Sequence, residues 1–177
     1  VRSVLGMDVH KAYDHLGHAA LIEVLHLLHL PSRLCDFISS YLQNRTFSIR
    51  LNGSSIGSFH PRRGVPQGSV LAPLLFNMAM IPLAWRLGAV PHIYSIIYAD
   101  DITVWSVHQD LHLQAVSLQQ ALDDTNSWCK YLGLTLSPTK TALLNVANAW
   151  GRRRLATSPI CLSVQGTPIP TVSTLRV

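Results

Sequence analysis

Ser95-Ile96-Ile97-Tyr98-Ala99-Asp100-Asp101-Ile102-Thr103-Val104-Trp105 sets two apolar, β-branched runs on either side of an adjacent pair of aspartates. The periodicity predicts strands over Ile93 to Tyr98 and Ile102 to Val107, joined by a tight hairpin turn that carries both carboxylates. Two carboxylates at one turn repel each other and resist desolvation unless a cation offsets them. On this stretch alone a solvated Asp-Asp turn is an equal alternative. The rest of the chain decides between them.

Upstream, Val1 to Val9 reads as a strand that carries Asp8 near its end. A helix is expected from about Asp14 to Leu30, with Asp14 as its cap and Pro31 as its stop; being apolar nearly all round, it should be largely buried. A second helix is expected over Arg33 to Gln43. Thr46 to Leu51 and Ser55 to His60 form a predicted hairpin about Asn52-Gly53. The loop Arg62-Arg63-Gly64-Val65-Pro66-Gln67-Gly68-Ser69 leads into a buried helix over Val70 to Trp85, too short to span a membrane.

Downstream of the Asp pair a long helix is predicted over Leu111 to Tyr131, in which Trp128 packs into the core. Ser137-Pro138 begins a turn before a strand over Thr141 to Val146. The tail carries the charge run Arg152-Arg153-Arg154, read as solvated. It then forms a hairpin, Ile160 to Val164 and Pro168 to Val172, turning at Gln165-Gly166. His18, Glu23, His26 and His29 share the first long helix, but solvated or packed histidines explain them better than a zinc site does.

With 177 residues, 48% hydrophobic and 13% charged, the chain has enough apolar material for a real core and is not a disordered segment. A net charge of +5 favours an anionic partner such as nucleic acid. The three cysteines, Cys35, Cys129 and Cys161, are widely spaced, which argues for a reducing compartment and against disulfide partners or a zinc site. No signal-peptide pattern opens the chain, so the expectation is an intracellular location, nuclear or cytoplasmic, with no membrane association. Val1 to Val9 and Val172 to Val177 both read as strands cut short, the pattern of a fragment.

Leaving out the middle insertion and the tail, the elements run strand, helix, strand, strand, helix, strand. That is an α+β, ferredoxin-like split βαβ unit: an antiparallel sheet packed by helices, with an inserted hairpin and helix. In it the first strand lies antiparallel to the third, with neighbouring strands about 4.8 Å apart, so Asp8 comes opposite Asp101-Ile102. Asp8, Asp100 and Asp101 are hard oxygen ligands suited to Mg²⁺ or Mn²⁺. Two such ions roughly 3.5–4 Å apart serve in-line phosphoryl displacement. Both aspartates of the pair are expected in the turn, with Asp100 the closer ligand.

Three stretches now carry a resemblance. Asp8-Val9-His10-Lys11-Ala12-Tyr13-Asp14, Arg63-Gly64-Val65-Pro66-Gln67-Gly68-Ser69-Val70-Leu71-Ala72-Pro73 and Tyr98-Ala99-Asp100-Asp101 resemble palm motifs A, B and C of reverse transcriptases, most closely those of non-LTR (LINE-type) retrotransposons. Gly133-Leu134 with Lys140-Thr141 resembles motif D. The resemblance implies a polymerase palm over residues 1–150 and the truncated start of the palm-to-thumb hairpin over 151–177. It implies RNA-directed DNA polymerase activity with two Mg²⁺, Mn²⁺ substituting, and an RNA template, a DNA primer and dNTP as partners.

Residue by residue, the resemblance makes Asp8 and Asp100 metal ligands, Asp101 a weaker one, and the Val9 carbonyl a further one. Tyr13 becomes a steric gate against the 2′-hydroxyl. Gln67 and Gly68 lie under the incoming nucleotide, and Lys140 protonates the departing pyrophosphate. Arg62 and Arg63, just before that loop, are placed for a phosphate contact. Fingers and thumb are expected from other parts of a full-length chain, so these residues alone should extend primers poorly. Two alternatives remain: an RNA-dependent RNA polymerase palm, against which Tyr13 argues, and an inert retroelement remnant that only binds nucleic acid.

Overall fold

In the computed structural model, which describes residues 2–43 and 45–175, the chain opens with β1 (Arg2–His10). Lys11 then adopts a left-handed conformation, φ 46°, and turns the chain into the short α1 (Ala12–His15). Where one helix is expected from Asp14 to Leu30, the structure has two, the second being α2 (His18–Leu27). The break falls at Gly17, a poor helix former, which stays extended, bridges to Arg63 and donates its N–H to the Leu132 carbonyl at 2.8 Å. Asp14 therefore caps nothing. α2 ends at Leu27, with His29 left-handed, before Pro31 is reached. Nor is α2 buried all round: Leu21, Val24 and Leu25 form its buried stripe, while Leu27 is 53% exposed.

α3 (Ser32–Gln43) packs against α2 and buries Cys35, Ile38 and Leu42 at helical spacing. β2 (Phe47–Leu51) and β3 (Ser54–Phe59) form the expected hairpin, with positive φ at both Asn52 and Gly53, as a type I′ turn demands. α4 (Leu71–Ala89) runs further than Trp85. At 19 residues it is long and apolar enough, by length and composition, to cross a membrane. Its fully buried side chains nevertheless recur at Ala72, Leu75, Phe76, Ala79, Leu83 and Leu87, the single stripe of a core helix.

β4 (Ile93–Tyr98) and β5 (Asp101–Ser106) follow, then α5 (Leu111–Tyr131), β6 (Thr135–Leu136) and β7 (Ala142–Val146). The arginine run forms α6 (Ala149–Thr157), which the sequence reading does not anticipate; its signal is Asn148, whose Oδ1 accepts the Gly151 N–H at 2.8 Å as an N-cap. The tail hairpin is shorter than expected, only β8 (Ser163–Val164) and β9 (Thr167–Pro168). β10 (Thr171–Val172) instead joins the main sheet beside β7, in parallel. The strand expected over Val172 to Val177 runs into 176–177, outside the described residues, as Val1 does at the other end.

The chain divides into two compact units. One, made of Val1–His10, Met80–Tyr131 and Thr135–Val177, is built on the sheet β10-β7-β1-β5-β4, with β6 also paired to β1. Counting its four long strands alone, the spatial order is last, first, third, second, all antiparallel, which is the split βαβ arrangement. Leu5, Met7, Val9, Ile102, Val104 and Leu143 are buried on one face, against which α5 packs with Leu118, Ala121 and Leu122. Trp128 is buried as expected, stacked on Tyr131 and covered by the Arg86 guanidinium. By the two-residue pleat, Gly6, Asp8, Asp101 and Thr103 share the other face.

The second unit, Lys11–Ala79 with Leu132–Leu134, holds α1 to α3, the β2–β3 hairpin, the loop after it and the start of α4. Its core draws on Leu16, Leu21, Val24, Leu25, Ile38, Leu42, Val65 and Phe76.

Candidate active site

The register of β1 against β5 runs Leu5↔Val104, Gly6↔Thr103, Met7↔Ile102, Asp8↔Asp101. Residues directly opposite in an antiparallel pair share a face, so the two carboxylates stand side by side on the open face of the sheet. Asp101 is thus the first residue of β5 rather than part of the turn; Ala99 and Asp100 alone form the two-residue loop between Tyr98 and Asp101. Ala99 takes a φ of 51°, a left-handed conformation costly for alanine and typical of strained functional turns. The Asp100 carbonyl accepts the Val9 N–H at 3.2 Å, fixing the turn to β1 next to Asp8.

Asp8 is partly enclosed, with 19% of its side chain exposed. Its Oδ2 lies 3.3 Å from Lys140 Nζ, and its buried Oδ1 has no hydrogen-bond partner among the described residues. The Asp101 carboxyl is held above its ordinary range, first by partial burial, then by repulsion from Asp100 and Asp8, with Lys140 pulling the other way. A cleft of about 460 Å³ opens over this face, its walls including Asp8, Asp101, Thr103, Lys140, Thr174 and Leu175. Among the described residues, no three His, Cys, Asp or Glu side chains form a closed metal cage. The donor set still fits a hard divalent cation: two adjacent carboxylates, one with an orphaned buried oxygen, suit Mg²⁺, which takes one or two protein carboxylates and completes its shell with water and phosphate.

The second unit has a cleft of its own, about 470 Å³, lined by Tyr13, Gln67, Gly68, Ser69, Val70, Ala72 and Pro73. The Arg63–Gly68 loop lies against the α1 segment through three backbone contacts. Arg63 bridges Gly17, the Gly64 N–H donates to the Leu16 carbonyl at 2.8 Å, and the Val65 N–H donates to the Tyr13 carbonyl at 2.7 Å. His18 Nε2 also reaches the Gly64 carbonyl at 2.8 Å. Tyr13 is held by stacking on Phe76, ring centroids 5.1 Å apart. Gln67 donates from Nε2 to Asp14 Oδ1 at 2.9 Å.

The sequence model of the family described as reverse transcriptase (RNA-dependent DNA polymerase) matches residues 1–164. The chain belongs to the reverse transcriptase family. It is 28% identical over 159 residues to the Pol polyprotein of the type-1 retrotransposable element R2 of Popillia japonica, covering 85% of this chain and 25% of that protein. It is 32% identical over 139 residues to a probable RNA-directed DNA polymerase from transposon BS of Drosophila melanogaster, covering 76% and 15%. A third relative is the RNA-directed DNA polymerase of the mobile element jockey of Drosophila melanogaster, 28% identical, covering 82% and 16%. The chain therefore spans a quarter or less of the length of these relatives. Among solved structures, apo telomerase from Candida tropicalis truncated from its C-terminal domain superposes with a TM-score of 0.68 at 16% identity, over 95% of this chain and 34% of that one. The telomerase of the same organism bound to a fragment of telomeric RNA gives 0.66, over 84% and 26%. At such identity the likeness is one of fold.

Within this reverse transcriptase fold the residues expected to matter fall into two groups. Asp8, Val9, Asp100, Asp101 and Lys140 lie in the sheet unit; Tyr13, Arg63, Gln67 and Gly68 lie in the other. Two residues escaped the sequence reading. Asp14, expected as a helix cap, is the acceptor that orients Gln67, and His18, set aside with the other histidines, secures the loop at Gly64. Neither role has a local signal, since each depends on a contact across roughly fifty residues.

Proposed function

We propose that this chain is the catalytic palm of an RNA-directed DNA polymerase of a non-LTR retrotransposon, with residues 1–150 forming the palm and 151–177 opening the hairpin toward a thumb. It would join dNTP to the 3′-hydroxyl of a DNA primer on an RNA template, inside the cell where such templates and their genomic targets lie. The observation that supports this most is the register that sets Asp8 opposite Asp101 at the mouth of a cleft.

Asp8 and Asp101, with Asp100 in the adjoining turn and the Val9 carbonyl, are the residues that would hold two Mg²⁺. When bound, a pair of such ions stabilises both the attacking and the leaving oxygen of an in-line displacement. The chain's own residues supply the rest. Tyr13, braced by Phe76, bars a ribose 2′-hydroxyl; Gln67, oriented by Asp14, hydrogen-bonds the nucleotide; and Gly68 lets the backbone approach it. Arg63 offers a phosphate contact, and Lys140 a proton for departing pyrophosphate.

Mn²⁺ titration of the chain with a primer–RNA template and labelled nucleotides tests the reading. Metal-dependent retention of dNTP over rNTP, lost in Asp8→Asn, is expected. Retention that ignores metal, or that survives Asp8→Asn, refutes the reading; preference for rNTP transfers the fold to RNA synthesis.

A further inference from the structure

Lys140 reaches Asp8 from a turn that is itself fastened to Asp8. The Ser137 N–H donates to the Asp8 backbone carbonyl at 2.9 Å. The Ser137 carbonyl in turn accepts three bonds: from the Lys140 N–H at 3.2 Å, the Thr141 N–H at 2.9 Å and Thr141 Oγ1 at 2.8 Å. Thr141 is wholly buried, so its hydroxyl has no water to turn to and the bond to Ser137 is strongly preferred. Ser137 Oγ and Thr139 Oγ1 close the turn from outside at 3.2 Å. The result is a clip: β1 at Asp8 holds Ser137, Ser137 holds Thr141, and Lys140 between them is delivered over the carboxylate.

Stability does not explain the Lys140–Asp8 contact. The Lys140 side chain is 66% exposed, and exposed ion pairs contribute little to folding. Charge does. Asp8 and Asp101 stand opposite each other with Asp100 in the adjoining turn, and Lys140 lies within reach of Asp8 and lines the same cleft. It engages Oδ2 and leaves Oδ1 buried and unpartnered among the described residues.

Building on the metal reading above, we propose that Lys140 is the internal counter-ion of this site: its ammonium holds the place on Asp8 that a divalent cation takes, so metal loading and release of Lys140 are one exchange. Before loading, Lys140 is locked onto Asp8 and the carboxylates are kept from full mutual repulsion. Loading frees the ammonium for phosphate oxygens in the cleft. Thr141 is then a positioning residue, acting through Lys140. The exchange couples the two events because a cation must displace Lys140 to gain both oxygens of Asp8.

The test is Mn²⁺ binding to the 177-residue chain without nucleotide, followed by the loss of the free-ion resonance signal. Lys140→Met keeps the stem and removes the competitor, so Mn²⁺ should bind more tightly, by up to about fivefold, the effect of deleting a rival of exposed ion-pair strength. Lys140→Arg should stay close to the parent. Thr141→Val should shift toward Lys140→Met, and Thr141→Ser should restore the parent affinity. Binding that is unchanged or weaker in Lys140→Met overturns the proposal, whatever the Thr141 variants do. Asp8→Asn separates the two readings: if the parent's binding does not depend on Asp8, the metal assignment falls and the counter-ion with it. If it does depend on Asp8 and Lys140→Met is silent, only the counter-ion fails.

Discussion

Asp101 is placed where its charge is unwelcome. It faces Asp8 across the ladder and adjoins Asp100, and like charges directly opposite in a sheet destabilise it. Its carboxyl is held above the ordinary value of 3.8, so the native state keeps this proton to higher pH than the unfolded chain does. Stability attributable to the group is therefore greatest at low pH and is lost as pH rises through the window above 3.8. Asp101→Asn removes the penalty. In metal-free buffer near pH 7 it should raise the melting temperature, through a stability gain of up to about 1 kcal/mol on the scale of a like-charged cross-strand pair. That gain should shrink toward nothing as the pH falls below the carboxylate range. Thermal melts with a chelator at both pH values check this; a gain that grows on acidification contradicts it. The inferred strand order already brings Asp8 opposite Asp101-Ile102, but with both acids expected in the turn it does not fix that Asp101 starts the strand and faces Asp8. That rests on a turn only two residues long, with Ala99 left-handed, and a one-residue shift in strand start moves a side chain to the opposite face.

At the scale of elements, the Arg63–Gly68 loop shows how two glycines of similar conformation differ in consequence. Gly64 has φ 83°, and a Cβ there would lie 2.5 Å from the Asp14 carbonyl oxygen and 2.9 Å from that of Tyr13. Gly68 has φ 82°, but a Cβ would meet nothing within 4 Å. Gly64→Ala should therefore cost about 2–4 kcal/mol, combining left-handed strain with a backbone clash that pushes the loop off α1. Gly68→Ala should cost only about 1–2 kcal/mol, the strain alone. Denaturant unfolding of the two variants measures the difference; equal losses contradict the packing described. Local patterning identified the loop, the β2–β3 turn and the bounds of α5 correctly. It misjudged the segment from Asp14 to Leu30, because Gly17 and Leu16 are claimed by strand-like pairing with Arg63 and Gly64, a contact that no helix propensity records.

For the whole molecule, the cysteines report on the two units separately. Cys35 belongs to the helical unit and Cys129 to the sheet unit, both buried, while Cys161 is exposed. Burial pushes the Cys129 thiol up to about 12, leaving almost no thiolate at neutral pH. A thiol reagent should modify Cys161 at once and the other two only as their own unit opens; mass mapping of the labelled sites checks the order, and early labelling of Cys129 contradicts the core. The sequence by itself determined the family, the split βαβ order of elements and the identity of the acidic residues, because alternating apolar runs, Gly-Pro punctuation and the three motifs are local properties of the chain. The tertiary structure decided the residue-by-residue register, which takes Asp101 out of the turn and pairs it with Asp8. It also decided the pairing of Gln67 with Asp14, the anchoring of Gly64 by His18 and the clip that carries Lys140 to Asp8. Each of these joins residues distant along the chain, and their geometry is set by which strands and loops pack side by side.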